Sequence, residues 1–235
     1  MRKEIRAADK RRLTPIVSLV SYLCSSAFIG GQFPVCRADI IDRIAVSVGN
    51  RVITVQDIER EIRVNAFLNG VAPDLSRAGR RATAEKMVEQ KLIQRELETS
   101  RYPQADAAEI EPVLGDFKAA HFKDDADYKR GLADYGVTEQ DVREEMLWQR
   151  TLLRFIGIRF RPGVQVSDRD IRKYFDETVA PAARAAHPGE PAPLEDYRGQ
   201  IEEKLTGDRA DEEMNRWLNE ARKRNEIVYH EEAFG

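Results

Sequence analysis

The sequence has few of the side chains that most enzyme and metal sites use. Both cysteines, Cys24 and Cys36, lie in the first 38 residues, so the rest of the chain can form no disulfide, thiol nucleophile or thiolate metal site. The three histidines, His121, His187 and His230, are far apart in the sequence and show no ligand spacing. We therefore expect no catalytic residue of these types and no bound metal.

The sequence also lacks the motifs that bind nucleotides and nucleic acids. No glycine-rich phosphate loop is present, and Gly49 and Gly70 are placed for turns. The first 38 residues hold seven of the 38 Lys and Arg and two of the 41 Asp and Glu, which leaves a net charge of −8 on the remainder. Without a basic stripe, nucleic acid is not an expected partner, and neither a cofactor nor a small-molecule substrate is expected. Acidic pairs such as Glu144-Glu145 are interpreted as solvated helix faces.

The N-terminal segment has the pattern of an export signal. Six Lys and Arg residues within the first 12 positions precede an apolar and small-residue run from Ile16 to Ile29, and Cys36 and Ala38 are small residues at the two positions that a signal peptidase reads. We expect cleavage after Ala38 and a periplasmic location. The alternative is an uncleaved inner-membrane anchor facing the periplasm, because residues 13–35 are uncharged and long enough to span a bilayer.

The chain after the leader begins with a predicted β-hairpin. Gly49-Asn50 is a two-residue loop that accepts positive φ between two short β-branched runs, residues 44–48 and 51–54. Alternation predicts that Ile44, Val46 and Val48 share the buried face with Ile53. Thr54 is then placed to cap a helix together with Asp57, three residues on.

Apolar residues at helical spacing dominate the rest of the sequence, and charged residues make up 34% of the chain. This spacing predicts a mainly α protein. The apolar run at residues 227–229 predicts a C-terminal strand that joins the N-terminal hairpin in one small antiparallel sheet. The first predicted helix ends at Asn69, the second covers about residues 78–100, and the third begins at Asp106 and includes Phe117. The later helices are predicted at about residues 125–135, 138–156, 167–175 and 194–224, and the strand at residues 227–229. Val113 and Leu153 are expected on buried faces of their helices.

Residues 180–193 are interpreted as a Pro/Ala linker. Four of these 14 residues are proline, so we expect a semi-extended segment that buries little. The organisation predicted is a signal peptide at residues 1–38, a helical domain at residues 39–179, the linker, and a C-terminal helix and strand at residues 194–235 that complete the same domain.

Four segments in order resemble the SurA-type periplasmic chaperones and related parvulin foldases. They are VGNRVIT at residues 48–54, YGVTEQDVR at 135–143, VSDRDIRKYF at 166–175, and the helix and strand from residue 194 to residue 227. The resemblance covers most of residues 40–230. It implies the multi-helix fold of the SurA N-terminal domain, which is similar to the C-terminal domain of trigger factor.

The chain departs from this family at one place. Family members carry one or two parvulin isomerase domains between the last two segments, whereas only 18 residues separate Phe175 from Leu194. A parvulin domain needs on the order of 90–100 residues, so no catalytic residue can be transferred and the protein is not expected to be an enzyme. A peptidyl-prolyl isomerase label would rest on the flanking segments alone.

The function that the resemblance implies is that of an ATP-independent holdase for unfolded envelope or outer-membrane proteins. An interaction module for one envelope partner is the alternative, and a residual prolyl isomerase is a less favoured one. The candidate peptide-binding residues are aromatic side chains on several helices, which we expect to line an apolar groove: Phe67, Phe117, Phe122, Tyr128, Tyr135, Trp148, Phe155 and Phe160.

Overall fold

The computed structural model describes residues 42–186 and 192–235. It is mainly α-helical with a small three-stranded antiparallel sheet, as the sequence predicts. The leader, its cleavage after Ala38 and its alternative as an anchor lie outside the described residues.

The sheet joins the two ends of the described chain. Strands β1 (Ile44–Val48) and β2 (Arg51–Thr54) form the hairpin, and β3 (Ile227–Tyr229) pairs with the other edge of β1, which gives the order β2-β1-β3. Ser47 lies between Val52 on one side and Val228 on the other. The predicted partnership of β3 with the hairpin is confirmed.

One strand prediction is wrong. A register irregularity between Ile44 and Val46 places Ala45 and Val46 together on the buried face, as happens when a bulge adds a residue to one strand. Ile44 is therefore turned outward and is 48% exposed, whereas Ala45 is fully buried.

Most helices begin and end close to their predicted boundaries, and the sixth, which continues to Ala186, is the exception. Their bounds are α1 (Val55–Asn69), α2 (Arg77–Ser100), α3 (Ile110–His121), α4 (Asp125–Tyr135), α5 (Glu139–Arg159), α6 (Asp168–Tyr174), α7 (Ala180–Ala186) and α8 (Leu194–Arg224). Short 3-10 turns cover Ala107–Glu109, Arg161–Gly163 and Glu231–Phe234.

Side-chain caps and glycine turns at the helix ends explain why these boundaries could be predicted from the sequence. The hydroxyl of Thr54 accepts from the Asp57 amide at 3.1 Å, and the Asp57 carboxylate accepts from the Thr54 amide at 3.1 Å. Such reciprocal bonds satisfy backbone donors that the first helical turn cannot use. Gly70 and Gly136 end α1 and α4 with positive φ, a conformation that glycine adopts without steric cost.

The Pro/Ala stretch is helical over its first half, which corrects the linker interpretation. A π-helical turn at Phe175–Val179 joins α6 directly to α7, so the helix predicted to end near residue 175 continues to Ala186. Alanine is the best helix former. The wider turn lies immediately before Pro181, whose ring would conflict with the preceding carbonyls of a regular α-helix. Residues 187–191, including His187, lie outside the described residues.

Buried side chains form three clusters. The largest joins the sheet to α1, α2, α5, α8 and the C-terminal turn. The second lies between the end of α1 and α3, α4 and α5, and the third between α6, α7 and the start of α8. Two helix-face predictions are wrong, because Val113 is 44% exposed and Leu153 is 66% exposed.

Candidate functional site

Five of the eight candidate aromatic residues form one packed group. The ring of Phe67 lies 5.6 Å from those of Phe122 and Tyr135 and 5.8 Å from that of Phe117, and the rings of Phe122 and Tyr128 are 5.3 Å apart. These separations are typical of aromatic pairs inside a core. Through this group, α3 and α4 pack against the end of α1.

Two further candidates belong to the main core. Phe155 is fully buried, and its ring lies 5.5 Å from that of Phe160, 5.2 Å from that of Tyr102 and 5.8 Å from that of Trp217. The sequence did not single out Tyr102 as an aromatic contact. This group holds α5 against α8 and the end of α2.

The expectation that all eight aromatic side chains line one open groove therefore needs correction. Phe67, Tyr128, Phe155 and Phe160 are each 8% exposed or less, so their surface is already used in the core. Phe117, Phe122 and Tyr135 are half-buried members of the same packing. Trp148 is half-buried against the main core and, unlike the other seven, also lines one of the grooves described below.

A groove of about 530 Å³ lies between α7 and the start of α8, and we call it the C-terminal groove. Tyr174, Val179 and Tyr197 line it with apolar surface above the buried Ile201. Polar side chains at its border are Thr178, Gln200 and Lys204. Small side chains at Ala182, Ala183 and Ala186 leave it open along α7. Pockets of this volume accommodate small ligands or a few side chains of a larger one.

The third core cluster lies beneath this groove, and two ion pairs join α6 to α8 beside it. Beneath it, Phe175 and Ile201 are buried, and the ring of Phe175 lies 6.0 Å from that of Tyr197. Arg198 pairs with Asp168 at 2.7 Å, and an Arg209–Asp170 pair at 3.0 Å ties α8 to the start of α6. Exposed pairs of this kind stabilise little individually, but these two cross-link the same two helices.

Tyr174 and Tyr197 are not among the aromatic residues predicted from the sequence to line a groove. Each lies on the stripe of its own helix, so the pattern alone indicates burial. The groove exists because α7 continues the α6 helix alongside α8. The alanine content of residues 180–186 is the sequence signal that could have predicted α7 and with it the C-terminal groove.

A second, smaller groove lies between α2 and α5, and we call it the Trp148 groove. It has a volume of about 320 Å³, and Glu144, Leu147, Trp148 and Thr151 line it from α5. These positions recur at helical spacing and so share one face of the helix. Trp148 is the predicted aromatic residue that contributes to this groove.

One acidic residue is buried rather than solvated. Glu145 is 9% exposed, whereas its neighbour Glu144 is exposed, so the interpretation of this pair as a solvated face is wrong for Glu145. Burial and, secondarily, the nearby Glu61 raise the pKa of Glu145 to about 7, against a hydrogen bond from Gln149 at 2.8 Å. Desolvation disfavours the charged carboxylate in this way.

Tyr128 presents a second perturbed group. Its hydroxyl is buried with no hydrogen-bond partner among the described residues. Burial, followed by the charge of Glu139, raises the pKa of Tyr128 to about 12. The ammonium group of Lys118 lies 4.2 Å from the centre of its ring. A phenol held neutral in this way acts as a packing residue.

The described residues hold no group of His, Cys, Asp and Glu that could bind a metal ion. His121 packs against Phe117 with a ring separation of 4.8 Å, and His230 lies 3.7 Å from Glu232. None of the helices within residues 42–186 and 192–235 is long and apolar enough to cross a membrane.

No model of a protein family matches the chain, and no curated protein matches it at a significant level. The similarity to SurA-type chaperones therefore rests on the four sequence segments and stays a prediction.

Proposed function

We propose that this protein is an exported, ATP-independent chaperone of the SurA-like class that binds unfolded envelope or outer-membrane proteins without isomerising prolyl bonds. The C-terminal groove is the surface proposed for this binding. The observation that carries the proposal is its apolar lining by Tyr174, Val179, Tyr197 and Ile201 in an open concavity.

Physical features of this groove suit weak binding of varied chains. Apolar contact is non-directional, so it depends little on the sequence of the bound segment. Half-buried tyrosines offer large apolar area together with a hydroxyl that can face water. A net charge of −8 on residues 39–235 would help to keep a loaded complex in solution.

The short connection between α7 and α8 supports a binding role over a catalytic one. Seven residues separate Ala186 from Leu194, which is far below the roughly 50 residues of even a small domain. The proposal of a holdase without an isomerase domain therefore accounts for the sequence at this point, and the pattern of the leader supports a periplasmic location.

Aggregation of a denatured outer-membrane barrel protein, followed by light scattering after dilution, tests the proposal. We expect the full chain to suppress scattering at stoichiometric amounts without nucleotide. Ala182→Glu places a carboxylate in the apolar groove and should raise the amount needed for half-suppression about threefold or more, because burying a charge under a client is costly.

The matched control is Ala185→Glu, which makes the same change at an exposed position of α7 that does not line the groove. It should behave as the unchanged protein. A folded chain that leaves aggregation unaltered would overturn the proposal, and tight binding of one envelope protein alone would favour the interaction module. Turnover of a short Xaa-Pro peptide above background would show that the protein is an isomerase.

A further inference from the structure

The Trp148 groove has a layout suited to an extended chain. Four residues of α5 form one wall, and Gln94, Leu97 and Glu98 of α2 form the other, with Gln104 at one end. A smaller cavity of about 100 Å³ continues it along α5 and shares Glu144 and Leu147. Its apolar floor is thus flanked by side chains with polar ends.

The charged residues that line this groove are both acidic. Glu98 is paired with Arg51, but its side chain is 58% exposed. Glu144 accepts a hydrogen bond from Gln140 at 2.9 Å, and no Lys, Arg or His of the described chain lies within ion-pair distance of it. The adjoining Arg143 is held by Glu139 at 2.8 Å and by Glu111.

Trp148 also lacks the cation that the other tryptophan has. The guanidinium of Arg159 lies 5.5 Å from the ring of Trp217, whereas within residues 42–186 and 192–235 no cation lies over the ring of Trp148. Cations are attracted to an indole face within about 6 Å of its centre. An aromatic ring beside two carboxylates is therefore an incomplete cation site.

The remaining polar groups of the groove suit a polypeptide backbone. In the described structure, the side-chain amides of Gln94 and Gln104 and the indole N–H of Trp148 have no protein hydrogen-bond partner. A primary amide both donates and accepts, as a peptide group does. The two carboxylates would repel a phosphate backbone, which makes a nucleic acid a poor occupant.

We propose that the Trp148 groove binds an arginine or lysine side chain of an extended polypeptide segment. The cation lies against the indole of Trp148 between Glu144 and Glu98, and the amides of Gln94 and Gln104 meet the flanking peptide groups. This site is separate from the C-terminal groove, so it does not depend on the proposed chaperone function.

The test is a titration of the ¹⁵N-labelled full chain with a capped glycine- and leucine-containing peptide that carries one central arginine. A second peptide carries citrulline there, which keeps the shape and removes the charge. The indole N–H signal is assigned with Trp148→Phe. We expect that signal to shift, that of Trp217 to stay in place, and the arginine peptide to bind about fivefold more tightly than the citrulline peptide.

Glu144→Gln should remove most of that difference and leave the citrulline peptide unaffected. Glu213→Gln, on the exposed face of α8, should change neither affinity. Equal affinity for the two peptides, or no binding at about 1 mM, would overturn the proposal. So would a loss of binding caused by Ala182→Glu but not by Glu144→Gln, which would place the peptide in the other groove. A Trp148 shift that depends on protein concentration alone would identify a second copy of the chain as the occupant instead.

Discussion

At the scale of single residues, the most consequential feature is a carboxylate inside the helical scaffold. Glu145 on α5 faces Glu61 on α1, which accepts hydrogen bonds from Asn65 at 2.9 Å and from Gln90 at 3.3 Å. Gln149 supplies one bond to Glu145, and no cation of the described chain forms an ion pair with it. The ionised form of Glu145 therefore opposes folding.

The free energy of unfolding should consequently depend on pH through Glu145. Its pKa is raised in the folded state from 4.5 to about 7, so the unfolded chain releases this proton first. The free energy of unfolding therefore decreases as pH rises from about 4.5 to about 7, and Glu145 adds no further pH dependence above that range. Glu145→Gln should remove this dependence and stabilise the protein by about 1–3 kcal/mol at pH 8, measured by urea denaturation at several pH values.

Glu144→Gln serves as the control, since the neighbouring side chain is exposed and its replacement should leave stability within about 0.5 kcal/mol. If Glu145→Gln destabilised the protein at pH 8 and left the pH dependence unchanged, the ionised carboxylate of Glu145 would be stabilising in the folded state, and the prediction would be wrong.

At the scale of elements, the C-terminal turn at Glu231–Phe234 anchors the sheet to the main core. Phe234 is 1% exposed within the main core. The guanidinium of Arg81 lies 3.6 Å from the ring centre of Tyr229 and bonds Glu231 at 2.7 Å. The last turn and β3 are thus fixed to α2 by one buried ring and one stacked cation.

Removal of the Phe234 ring should greatly lower the free energy of unfolding. Phe234→Ala removes a buried aromatic side chain and is expected to lower the free energy of unfolding by about 3 kcal/mol or more. Val228→Ala, on the outward face of β3 and 42% exposed, should change it by less than about 0.5 kcal/mol. Similar losses for both variants in urea denaturation would show that the sheet, rather than the buried ring, anchors this end.

Elements set by local chemistry could be predicted from the sequence, and those set by distant contacts could not. Thr54 and Ser167 cap helices through residues three positions away, and glycine turns are equally local. The burial of Phe234, by contrast, depends on α2, about 150 residues earlier in the chain, and alternation alone could not show the bulge at Ile44.

The candidate site divides in the same way. Aromatic type and helical spacing indicated which residues pack, yet whether Phe155 faces a core and Trp148 a groove depends on where α8 and α2 cross α5. The C-terminal groove could not be predicted without the π-helical turn at Phe175–Val179 that precedes Pro181. A proline ordinarily indicates the end of a helix.

At the scale of the whole molecule, stability is unevenly distributed. The main cluster contains 18 buried residues, whereas the third contains four: Ile171, Phe175, Ala180 and Ile201. Regions with few buried apolar contacts open locally at lower free energy than the core. The C-terminal groove lies on this lightly anchored part, where a binding surface can adapt to different chains.

Hydrogen exchange followed by mass spectrometry should reveal this gradient. Amides of α6 and α7 are expected to exchange through local opening at least about tenfold faster than those of β1 and the buried part of α2. Ile201→Ala should accelerate α6 and α7 further and leave β1 nearly unchanged. Uniform protection across these elements would mean that the groove is as rigid as the core.

The central position of β1 has a consequence for biosynthesis. Ser47 has Val52 as a neighbour within the same hairpin, but its other neighbour, Val228, is 181 positions later in the chain. While the polypeptide emerges from the ribosome, one side of β1 therefore keeps bare amide and carbonyl groups until nearly all helices have been made. For that interval the nascent chain is itself open to strand-to-strand aggregation.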